Sequence, residues 1–435
     1  MPSRDDVHYF GAGPAPLPTA VLERASSALL NYQDTGLGIA EHSHRSELAS
    51  NILNTAKADL ASFLNVPDDY DILFMQGGGS GEFSATVYNL VGAWVTRKKA
   101  EIARSLGLDA DKDVNDEKLV AALKSAVESE LKLDYLVTGS WSLKAYKEAG
   151  RLIGEEYTNL AADARKVNGG KFGKIPDENS WSLSKNPAMV YFCDNETVDA
   201  VEFPSFPESL NAETDGSKPI VVADMSSNIL SRRIPIKNYS VIFFGAQKNL
   251  GSTGITVVII KKSLMPPACP QPPASLMRKL GLPVAPVVLS YETIAANNSL
   301  YNTLSIFDVY VAGQVLKELL AKYPEDKIEG QEAESNRRAA AIYGVLEKHS
   351  SMYKIVPDKS VRSRMNICFR VSRGGETEQT EKEFLKQASN WKSNASLTGL
   401  KGHRSVGGIR ISNYNAIRDG ATEELVEFLD KFAQS

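Results

Sequence analysis

Short apolar runs separated by helical patterns recur between residues 17 and 305 of this chain. The runs are rich in β-branched residues and lie at 70–75, 133–137, 188–193, 220–223, 241–244 and 256–260. Strands that are apolar on both faces need cover on both faces, and intervening helices provide it when the strands are mainly parallel. The pattern therefore predicts an α/β fold with a mostly parallel sheet, whose functional loops follow the carboxyl ends of the strands.

The pattern changes beyond residue 305. Helical and isolated strand patterns then follow at 309–322, 332–348, 365–371, 408–412 and 421–432. We predict two domains, a large α/β domain at 17–305 and a smaller α+β domain formed by 306–435 together with the N-terminal segment 1–16. Two polar stretches between predicted strands, 97–132 and 159–181, are expected to be surface insertions.

Composition narrows the classes of partner. A formal net charge of -4 gives no overall attraction to nucleic acid or to an anionic membrane, so anion binding must come from local clusters. The three cysteines, Cys193, Cys269 and Cys368, lack metal-ligand spacing and are expected to be reduced thiols. No apolar stretch approaches the ~18 residues that span a bilayer. We expect a cytoplasmic protein without a metal, nucleic acid or membrane partner.

Lys248 lies where packing alone does not explain a lysine. It follows the apolar run at 241–244, and Asp224 follows the run at 220–223. A desolvated lysine amine can hold an aldehyde as a Schiff base, and a carboxylate facing a pyridine nitrogen keeps that ring protonated. Because most lysines are solvated surface groups, this pair alone only suggests a pyridoxal phosphate (PLP) site.

Three further motifs follow strands of the same predicted sheet. The glycine loop 77–81 precedes a helix, where it either cradles a phosphate or forms a plain tight turn. Trp141 either stacks on a planar ring or fills the core, and Thr197 either binds a ring substituent or caps a turn. All of these residues, with Asp224 and Lys248, fall just after strand ends, where side chains converge on one crevice. The sequence therefore favours a PLP site.

Two His-Arg pairs indicate an anionic ligand. His44-Arg45 and His403-Arg404 are far apart in a chain with only five histidines, and Arg410 follows the second pair. Arginine binds carboxylate or phosphate through two parallel hydrogen bonds, and histidine adds a donor. Taken alone, each pair is more typical of solvated side chains on the surface. Beside a PLP site, the set suits a ligand that carries both a carboxylate and a phosphate.

In order and over nearly the whole chain, these motifs resemble the phosphoserine aminotransferase family, which has PLP fold type I and belongs to class V. The similar segments are 77–79, 191–197, 223–227, 245–249, 301–303, 363–366 and 402–404. The segments 245–249 and 402–408 are the most specific, since many PLP enzymes share only the lysine and the aspartate. The resemblance implies a large domain with a mostly parallel seven-stranded sheet and a smaller α+β C-terminal domain.

The resemblance also implies cofactor-binding roles. Lys248 would form the Schiff base and shuttle the proton, and Asp224 would pair with the pyridinium nitrogen. Trp141 would stack on the ring, and Thr197 would contact its phenolate oxygen. The cofactor phosphate would be bound by both subunits of an obligate homodimer, through Gly79, Ser80 and Gln247 of one chain and Asn302 and Thr303 of the other.

The implied reaction is a reversible ping-pong transamination of 3-phosphohydroxypyruvate with L-glutamate, which gives O-phospho-L-serine and 2-oxoglutarate in L-serine biosynthesis. Arg410 would hold the substrate α-carboxylate, and the substrate phosphate would be surrounded by His44, Arg45, His403 and Arg404. Two features depart from the family pattern. Ser80 stands where bacterial members often have an arginine, and the segment 97–132 is longer than in compact members.

Other functions need some of the same residues. A cysteine desulfurase-like or alanine–glyoxylate-type enzyme would also use Lys248 and Asp224. A desulfurase requires a reactive cysteine on a mobile loop, whereas Cys368 lies in an apolar strand pattern and Cys269 has no cationic neighbour in sequence. A non-catalytic phosphate-binding protein would have no use for the lysine, aspartate and tryptophan together.

Overall fold

The computed structural model describes residues 3–211, 218–392 and 395–435. The helices are α1 (Thr19–Leu30), α2 (Glu47–Leu64), α3 (Gly78–Leu106), α4 (Glu117–Glu130), α5 (Ser140–Ile153), α6 (Ala274–Lys279), α7 (Tyr291–Ala296), α8 (Ile306–Lys322), α9 (Lys327–Lys348), α10 (Glu378–Ser389) and α11 (Ala421–Gln434). Among the described residues, none of these helices has the length and apolar character needed to cross a membrane.

The strands are short and distributed along the whole chain. They are β1 (Val7–Tyr9), β2 (Tyr70–Met75), β3 (Leu133–Val137), β4 (Thr158–Asp163), β5 (Met189–Cys193), β6 (Asn195–Glu196), β7 (Val201–Glu202), β8 (Val221–Asp224), β9 (Val241–Gly245), β10 (Thr256–Lys261), β11 (Tyr353–Ile355), β12 (Asn366–Val371), β13 (Ser396–Thr398) and β14 (Ile409–Ser412). The six strands expected before residue 305 are present at or within one residue of their predicted bounds.

In the described part of the chain, the largest sheet has seven strands in the order β2-β10-β9-β8-β5-β3-β4. Strands β9, β8, β5, β3 and β4 are parallel to one another, whereas β10 is antiparallel to both β2 and β9. The predicted α/β fold with a mostly parallel seven-stranded sheet is confirmed. Because β2 runs in the same direction as β9, six strands present their carboxyl ends at one edge of the sheet.

Two segments that were expected to be surface insertions contribute to the fold, so that expectation was wrong for parts of both. Residues 158–163 form the edge strand β4, which pairs with β3. Its polar residues concealed it because an edge strand needs no continuous apolar run. In the segment 97–132, α3 continues to Leu106, and α4 buries four side chains in the core: Leu119, Leu123, Ala126 and Val127.

Helices cover both faces of the sheet because its strands direct successive apolar side chains to opposite faces. Phe192 and Phe244 lie in the core shared with α2 and α8, whereas Tyr191 and Phe243 lie in the core shared with α3 and α5. All four rings are fully buried. Burial of a side chain of this size contributes about 2 kcal/mol or more, so both layers hold the strand ends in place.

A separate core forms in the C-terminal part of the chain. Strands β11, β12 and β14 make an antiparallel sheet, and α9, α10 and α11 pack around Phe384 and Phe428. The N-terminal segment joins this core, since β1 pairs with β13 and Phe10 is buried there. Helix α8, by contrast, buries its apolar side chains in the core of the large sheet.

Candidate active site

Lys248 and Asp224 lie at the carboxyl edge of the large sheet. Asp224 is the last residue of β8, and Lys248 lies in the loop that follows β9. Strands β8 and β9 are parallel neighbours, so both side chains border the same crevice. Asp224 is 5% exposed and Lys248 is 9% exposed. The structure therefore brings together the two residues expected to carry the chemistry.

Burial controls the protonation of both groups. Loss of water lowers the pKa of Lys248 to about 8, although the nearby Asp224 carboxylate opposes this by favouring the ammonium form. Burial likewise raises the pKa of Asp224, and a hydrogen bond donated by the Ser226 backbone N at 2.8 Å acts against that rise. The Lys248 amine can therefore gain or lose a proton near neutral pH, as an acid/base catalyst must.

The glycine loop lies beside Asp224. Gly77 has a φ of 119°, in the region that favours glycine, and α3 begins at the next residue, Gly78. A Cβ on Gly79 would lie 3.8 Å from Asp224 Oδ2. Ser80 is exposed on the first turn of α3. Backbone N–H groups at the start of a helix can bind phosphate, and this loop lies at the edge of the sheet that carries Asp224.

Trp141 is held by a buried carboxylate to which the sequence motifs assigned no role. The Trp141 backbone N donates to Glu196 Oε2 at 2.8 Å, and the Ser142 backbone N donates to Glu196 Oε1 at 2.9 Å. A Cβ on Gly139 would lie 2.4 Å from Glu196 Cδ, so only glycine fits there. Burial and the neighbouring Asp199 carboxylate raise the pKa of Glu196 to about 8. Glu196 thus fixes the start of α5 and the position of Trp141.

Thr197 connects this arrangement to Lys248. It follows Glu196 directly, and its Oγ1 accepts a hydrogen bond from Lys248 Nζ at 2.7 Å. One short segment therefore positions the predicted ring-stacking residue through Glu196 and contacts the predicted Schiff-base lysine through Thr197. A signal for the contact between Glu196 and Trp141 was present in the sequence, because Glu196 is an acidic residue in a motif that is otherwise expected to be buried.

The N-terminal segment passes over Lys248, a contact that the sequence motifs did not predict. Gly13 has a φ of 120°, and a Cβ there would lie 3.4 Å from Lys248 Cγ. Ala15 N donates to the backbone O of Gln247 at 2.8 Å. The predicted phosphate-binding residue Gln247 therefore lies in the loop that carries Lys248 and is covered by this segment. The Gly-Ala-Gly-Pro sequence at 11–14 was the only hint of this contact in the sequence, because glycine and proline mark special backbone conformations.

Basic side chains border the crevice on the side of β14. Arg410 Nη1 donates to the Thr197 backbone O at 3.4 Å, and Arg410 Nε is buried without a hydrogen-bond partner in the described residues. His403 is half-buried, and its pKa is lowered by burial first and then by the nearby Arg410 and Arg404 guanidinium groups. Within the described ranges, neither Arg404 nor Arg410 forms an ion pair with a carboxylate. The site therefore carries positive charge that an anionic ligand can offset.

Four predicted site residues have no hydrogen bond or ion pair with Lys248, Arg410 or His403 among the described residues: His44, Arg45, Asn302 and Thr303. Arg45 is exposed and borders a surface cavity beside Tyr301. Asn302 Nδ2 donates to Gln76 Oε1 at 2.6 Å, just before the glycine loop. His44 is half-buried and Thr303 is exposed.

No cysteine is placed as a nucleophile. Cys193, Cys269 and Cys368 are all buried and free. Burial raises the pKa of each thiol, to about 12 for Cys368, so the reactive thiolate is disfavoured at neutral pH. This arrangement argues against the desulfurase alternative.

The groups around the crevice fit PLP. Lys248 offers a buried amine for the aldehyde, and Asp224 offers a carboxylate for the pyridine nitrogen. Trp141 offers a half-buried indole for the ring, and its Nε1 is buried without a partner in the described part of the chain. The start of α3 offers backbone donors for the phosphate. Each functional part of the cofactor therefore has a complementary group.

Comparisons with known proteins agree with this chemistry. The family model "Aminotransferase class-V" matches residues 7–108 and 123–415. The chain is 39% identical over 434 residues to phosphoserine aminotransferase from Saccharomyces cerevisiae, covering 99% of this chain and 98% of the yeast protein. The solved phosphoserine aminotransferase from Bacillus circulans subsp. alkalophilus is similar with a TM-score of 0.78 at 33% identity, covering 98% of each chain.

A solved relative with its cofactor supports the same conclusion. The PLP-bound phosphoserine aminotransferase from Trichomonas vaginalis has a TM-score of 0.75 at 29% identity, covering 97% of this chain and 99% of that chain. Its fold and those of the other solved relatives are PLP fold type I, and the cofactor of this chain is PLP. The chain belongs to the class-V aminotransferases and, within them, to the phosphoserine aminotransferase family.

Proposed function

We propose that this PLP-dependent aminotransferase catalyses the reversible transamination of 3-phosphohydroxypyruvate with L-glutamate, giving O-phospho-L-serine and 2-oxoglutarate. The observation that carries the proposal is a set of basic side chains without carboxylate partners in the described residues: Arg410, which lies near Lys248, and the pair His403 and Arg404 near Arg410. The half-buried arginine suits an α-carboxylate, and the outer His-Arg pair suits a phosphate. Alanine and glyoxylate offer no group for the outer pair.

The proposed roles of the cofactor-binding residues follow their chemistry. Bound PLP supplies an electrophilic carbon for the amino group and a conjugated ring that accepts the electron pair left when the Cα proton departs. Asp224 pairs with the ring nitrogen, Trp141 stacks on the ring, and Thr197 binds the ring oxygen. The cofactor phosphate is held by three residues of the same chain: Gly79, Ser80 and Gln247.

Lys248 moves the proton in this proposal. Its Nζ would take the proton from the substrate Cα and later release it, and bound PLP would supply the electron sink that makes this proton acidic. A pKa of about 8 supports this role, because the amine then both accepts and releases a proton readily near neutral pH. The neighbouring segments that cover Lys248, at Gly13 and Thr197, exclude water and restrict where the amine can go.

The enzyme is proposed to act as a homodimer with shared sites. Within the described part of one chain, segments 44–45 and 302–303 form no hydrogen bond or ion pair with Lys248, His403 or Arg410, and in this proposal a second copy supplies them to the substrate and cofactor phosphates. Exposed large apolar side chains are available for such an interface: Leu29, Leu30, Leu37, Val284, Val287, Val288 and Tyr301.

The dimer has a direct test by subunit mixing. Lys248→Ala and Arg45→Ala homodimers are each expected to be impaired. In a mixed dimer, one of the two sites recovers both an intact lysine and an intact arginine, so mixing followed by subunit exchange is expected to restore activity. Unchanged activity after proven exchange would contradict shared sites.

The division into a large domain, 17–305, and a small domain, 306–435 with 1–16, is part of the proposal. The separate core around Phe384 and Phe428 supports it. Helix α8 then acts as the connection, since it lies at the start of the second domain but packs with the first. We place the enzyme in the cytoplasm, which three free thiols suit.

The proposed reaction is tested by the visible absorption spectrum of the purified protein. O-phospho-L-serine, L-glutamate and L-alanine are added separately, without a keto acid. The cofactor band is expected to convert to the pyridoxamine phosphate form with the first two amino acids but not with alanine. A response to alanine would indicate another aminotransferase of this fold. No band after addition of PLP would contradict the enzyme assignment.

A further inference from the structure

We infer that Lys144 determines substrate specificity by contributing a cation to the binding of the substrate phosphate, an inference that rests on the proposed function. Lys144 lies one turn after Trp141 on α5 and is exposed. Its Nζ lies 4.0 Å from the centroid of the Trp141 ring. This contact holds the Lys144 side chain at the edge of the proposed cofactor site.

The electrostatic interactions of His403 identify the other cations near Lys144. Lys144, Arg404 and Arg410 each interact with His403 electrostatically, and each disfavours the protonated imidazole. These residues come from three different elements: helix α5, the loop 402–408 and strand β14. Positive charges that converge from separate elements repel one another, so their proximity is unfavourable until an anion lies among them.

In the part of the chain that the structure describes, no carboxylate forms an ion pair with Lys144, His403, Arg404 or Arg410. Among the described residues, Lys144 forms no hydrogen bond or ion pair. The carboxylates of the facing segment are engaged elsewhere: Glu196 accepts from the backbone N of Trp141 at 2.8 Å, and Asp199 accepts from the backbone N of Ser140 at 2.6 Å. Because these acids satisfy the start of α5, they leave the Lys144 ammonium available to an external ligand.

The loop that carries the His-Arg pair is held in a closed turn. Gly402 N donates to Gly408 O at 2.8 Å, and Gly407 N donates to His403 O at 2.8 Å. A Cβ on Gly402 would lie 2.0 Å from Gly407 O, so the turn requires glycine there. The turn keeps His403 beside Arg410 and within electrostatic reach of Lys144. A dianionic phosphate is the group that suits this arrangement, since each cation can bind a different oxygen.

The competing explanation is that Lys144 only supports Trp141 through the cation–π contact. That role concerns the cofactor ring, so it would affect all amino acid substrates alike. A role in phosphate binding affects only ligands that carry a phosphate. The two explanations therefore predict different ratios of affinity for O-phospho-L-serine and L-glutamate.

The test uses the holoenzyme with Lys144→Ala, Lys144→Arg and the control Lys147→Ala, which removes another exposed lysine from the same helix. Dissociation constants for O-phospho-L-serine and L-glutamate come from the spectral change of each half-reaction. The dissociation constant for inorganic phosphate comes from calorimetry, which needs no turnover. The PLP affinity of each variant is measured separately by absorption.

Lys144→Ala is expected to weaken the binding of O-phospho-L-serine and of inorganic phosphate by about tenfold. It should weaken the binding of L-glutamate by less than about twofold. The loss should shrink at high ionic strength, as expected for a partly exposed charge. Lys144→Arg should retain most of the affinity, and Lys147→Ala should bind all ligands like the wild type. PLP affinity should stay unchanged in all three variants.

Three results would each overturn the inference. Equal weakening of both amino acids, or a loss of PLP affinity, would assign Lys144 to the support of Trp141. Unchanged affinity for O-phospho-L-serine would make it a solvated lysine. Failure of the proposed function is distinguishable, because wild-type enzyme would then show no conversion with O-phospho-L-serine at all.

Discussion

Lys248 Nζ donates a hydrogen bond of 2.7 Å to Thr197 Oγ1, which joins two segments that lie 51 residues apart in the sequence. The bond connects the loop after β9 with the segment after β6. It holds the amine of Lys248 at the carboxyl edge of the sheet, near Asp224. The predictions below concern this amine and the groups that position it.

Replacement of Lys248 by alanine should abolish turnover without unfolding the protein. The substitution removes the amine proposed to hold the cofactor and move the proton, so kcat should fall by about 10³-fold or more. Steady-state assays with L-glutamate and 3-phosphohydroxypyruvate measure this, and circular dichroism checks the fold. Normal turnover by a folded Lys248→Ala protein would refute the assignment.

The stability of the cofactor-free protein should depend on pH through Lys248. Burial lowers the pKa of this amine from 10.5 to about 8 in the folded protein. Between these pH values the unfolded chain binds more protons than the folded chain, so the free energy of unfolding rises with pH across the window. The rise should be on the order of 3 kcal/mol.

Urea unfolding of the cofactor-free wild type and a Lys248→Met variant, from about pH 7 to pH 11, separates this effect from other titrations. The variant should lack the Lys248 contribution, and it should be more stable than the wild type near pH 7 because no charge is buried. A Lys147→Met variant serves as the control for loss of an exposed lysine. Identical pH dependence in all three proteins would show that Lys248 does not titrate in this window.

Glu196→Gln should weaken PLP binding by displacing Trp141. The carboxylate accepts hydrogen bonds from the backbone N of Trp141 and of Ser142, whereas a glutamine amide must direct N–H groups toward one of these donors. Loss of one such buried hydrogen bond, which leaves a backbone N–H without a partner, costs about 1–3 kcal/mol, and we expect about a tenfold weaker PLP affinity. Absorption titration of the cofactor-free protein with PLP measures this.

The exposed Glu128 on α4 offers a matched control for this substitution. Glu128→Gln makes the same chemical change away from the site and should leave the affinity for PLP unaltered. If both variants bind PLP like the wild type, Glu196 does not position Trp141.

Gly13→Ala should disturb Lys248 directly. The new Cβ would lie 3.4 Å from Lys248 Cγ, at a backbone φ of 120° that alanine disfavours. The strain is about 1–3 kcal/mol, and displacement of the lysine should lower kcat by about tenfold or more. Gly36→Ala provides the comparison, since Gly36 also has a positive φ but a Cβ there meets nothing within 4 Å. Equal effects on kcat in the two variants would argue that only backbone strain matters.

Arg410→Ala should weaken the binding of both amino acid substrates, because both carry an α-carboxylate. Removal of a charge-assisted bidentate contact costs about 1.5–3 kcal/mol, which corresponds to roughly 10- to 100-fold in affinity. His403→Ala and Arg404→Ala should weaken O-phospho-L-serine more than L-glutamate. Half-reaction titrations of each variant with both amino acids measure these differences. Equal losses for the two substrates in the His403 and Arg404 variants would contradict their placement at the phosphate.

The sequence predicted the fold class and the centre of the site for a local reason. Strands that are buried on both faces are visible as apolar runs, and polar residues directly after them stand out because they interrupt those runs. Asp224, Lys248 and the glycine loop are of this kind, and parallel strands bring such positions to one edge. Strand β4 escaped prediction because an edge strand can be polar. The helical periodicity at 118–131 predicts α4, but its burial in the core was missed because an amphipathic pattern is typical of a surface helix as well.

Only the tertiary structure decided the contacts between distant segments. The position of Gly13 over Lys248, the cap that Glu196 forms on α5 and the approach of Lys144 to His403 depend on how separate elements pack. No local pattern specifies such distances. The contact of Asn302 with Gln76, just before the glycine loop, likewise became visible only in three dimensions. A sequence determines which residues carry suitable chemistry, whereas packing determines which of them meet, because contact energies act across space and not along the chain.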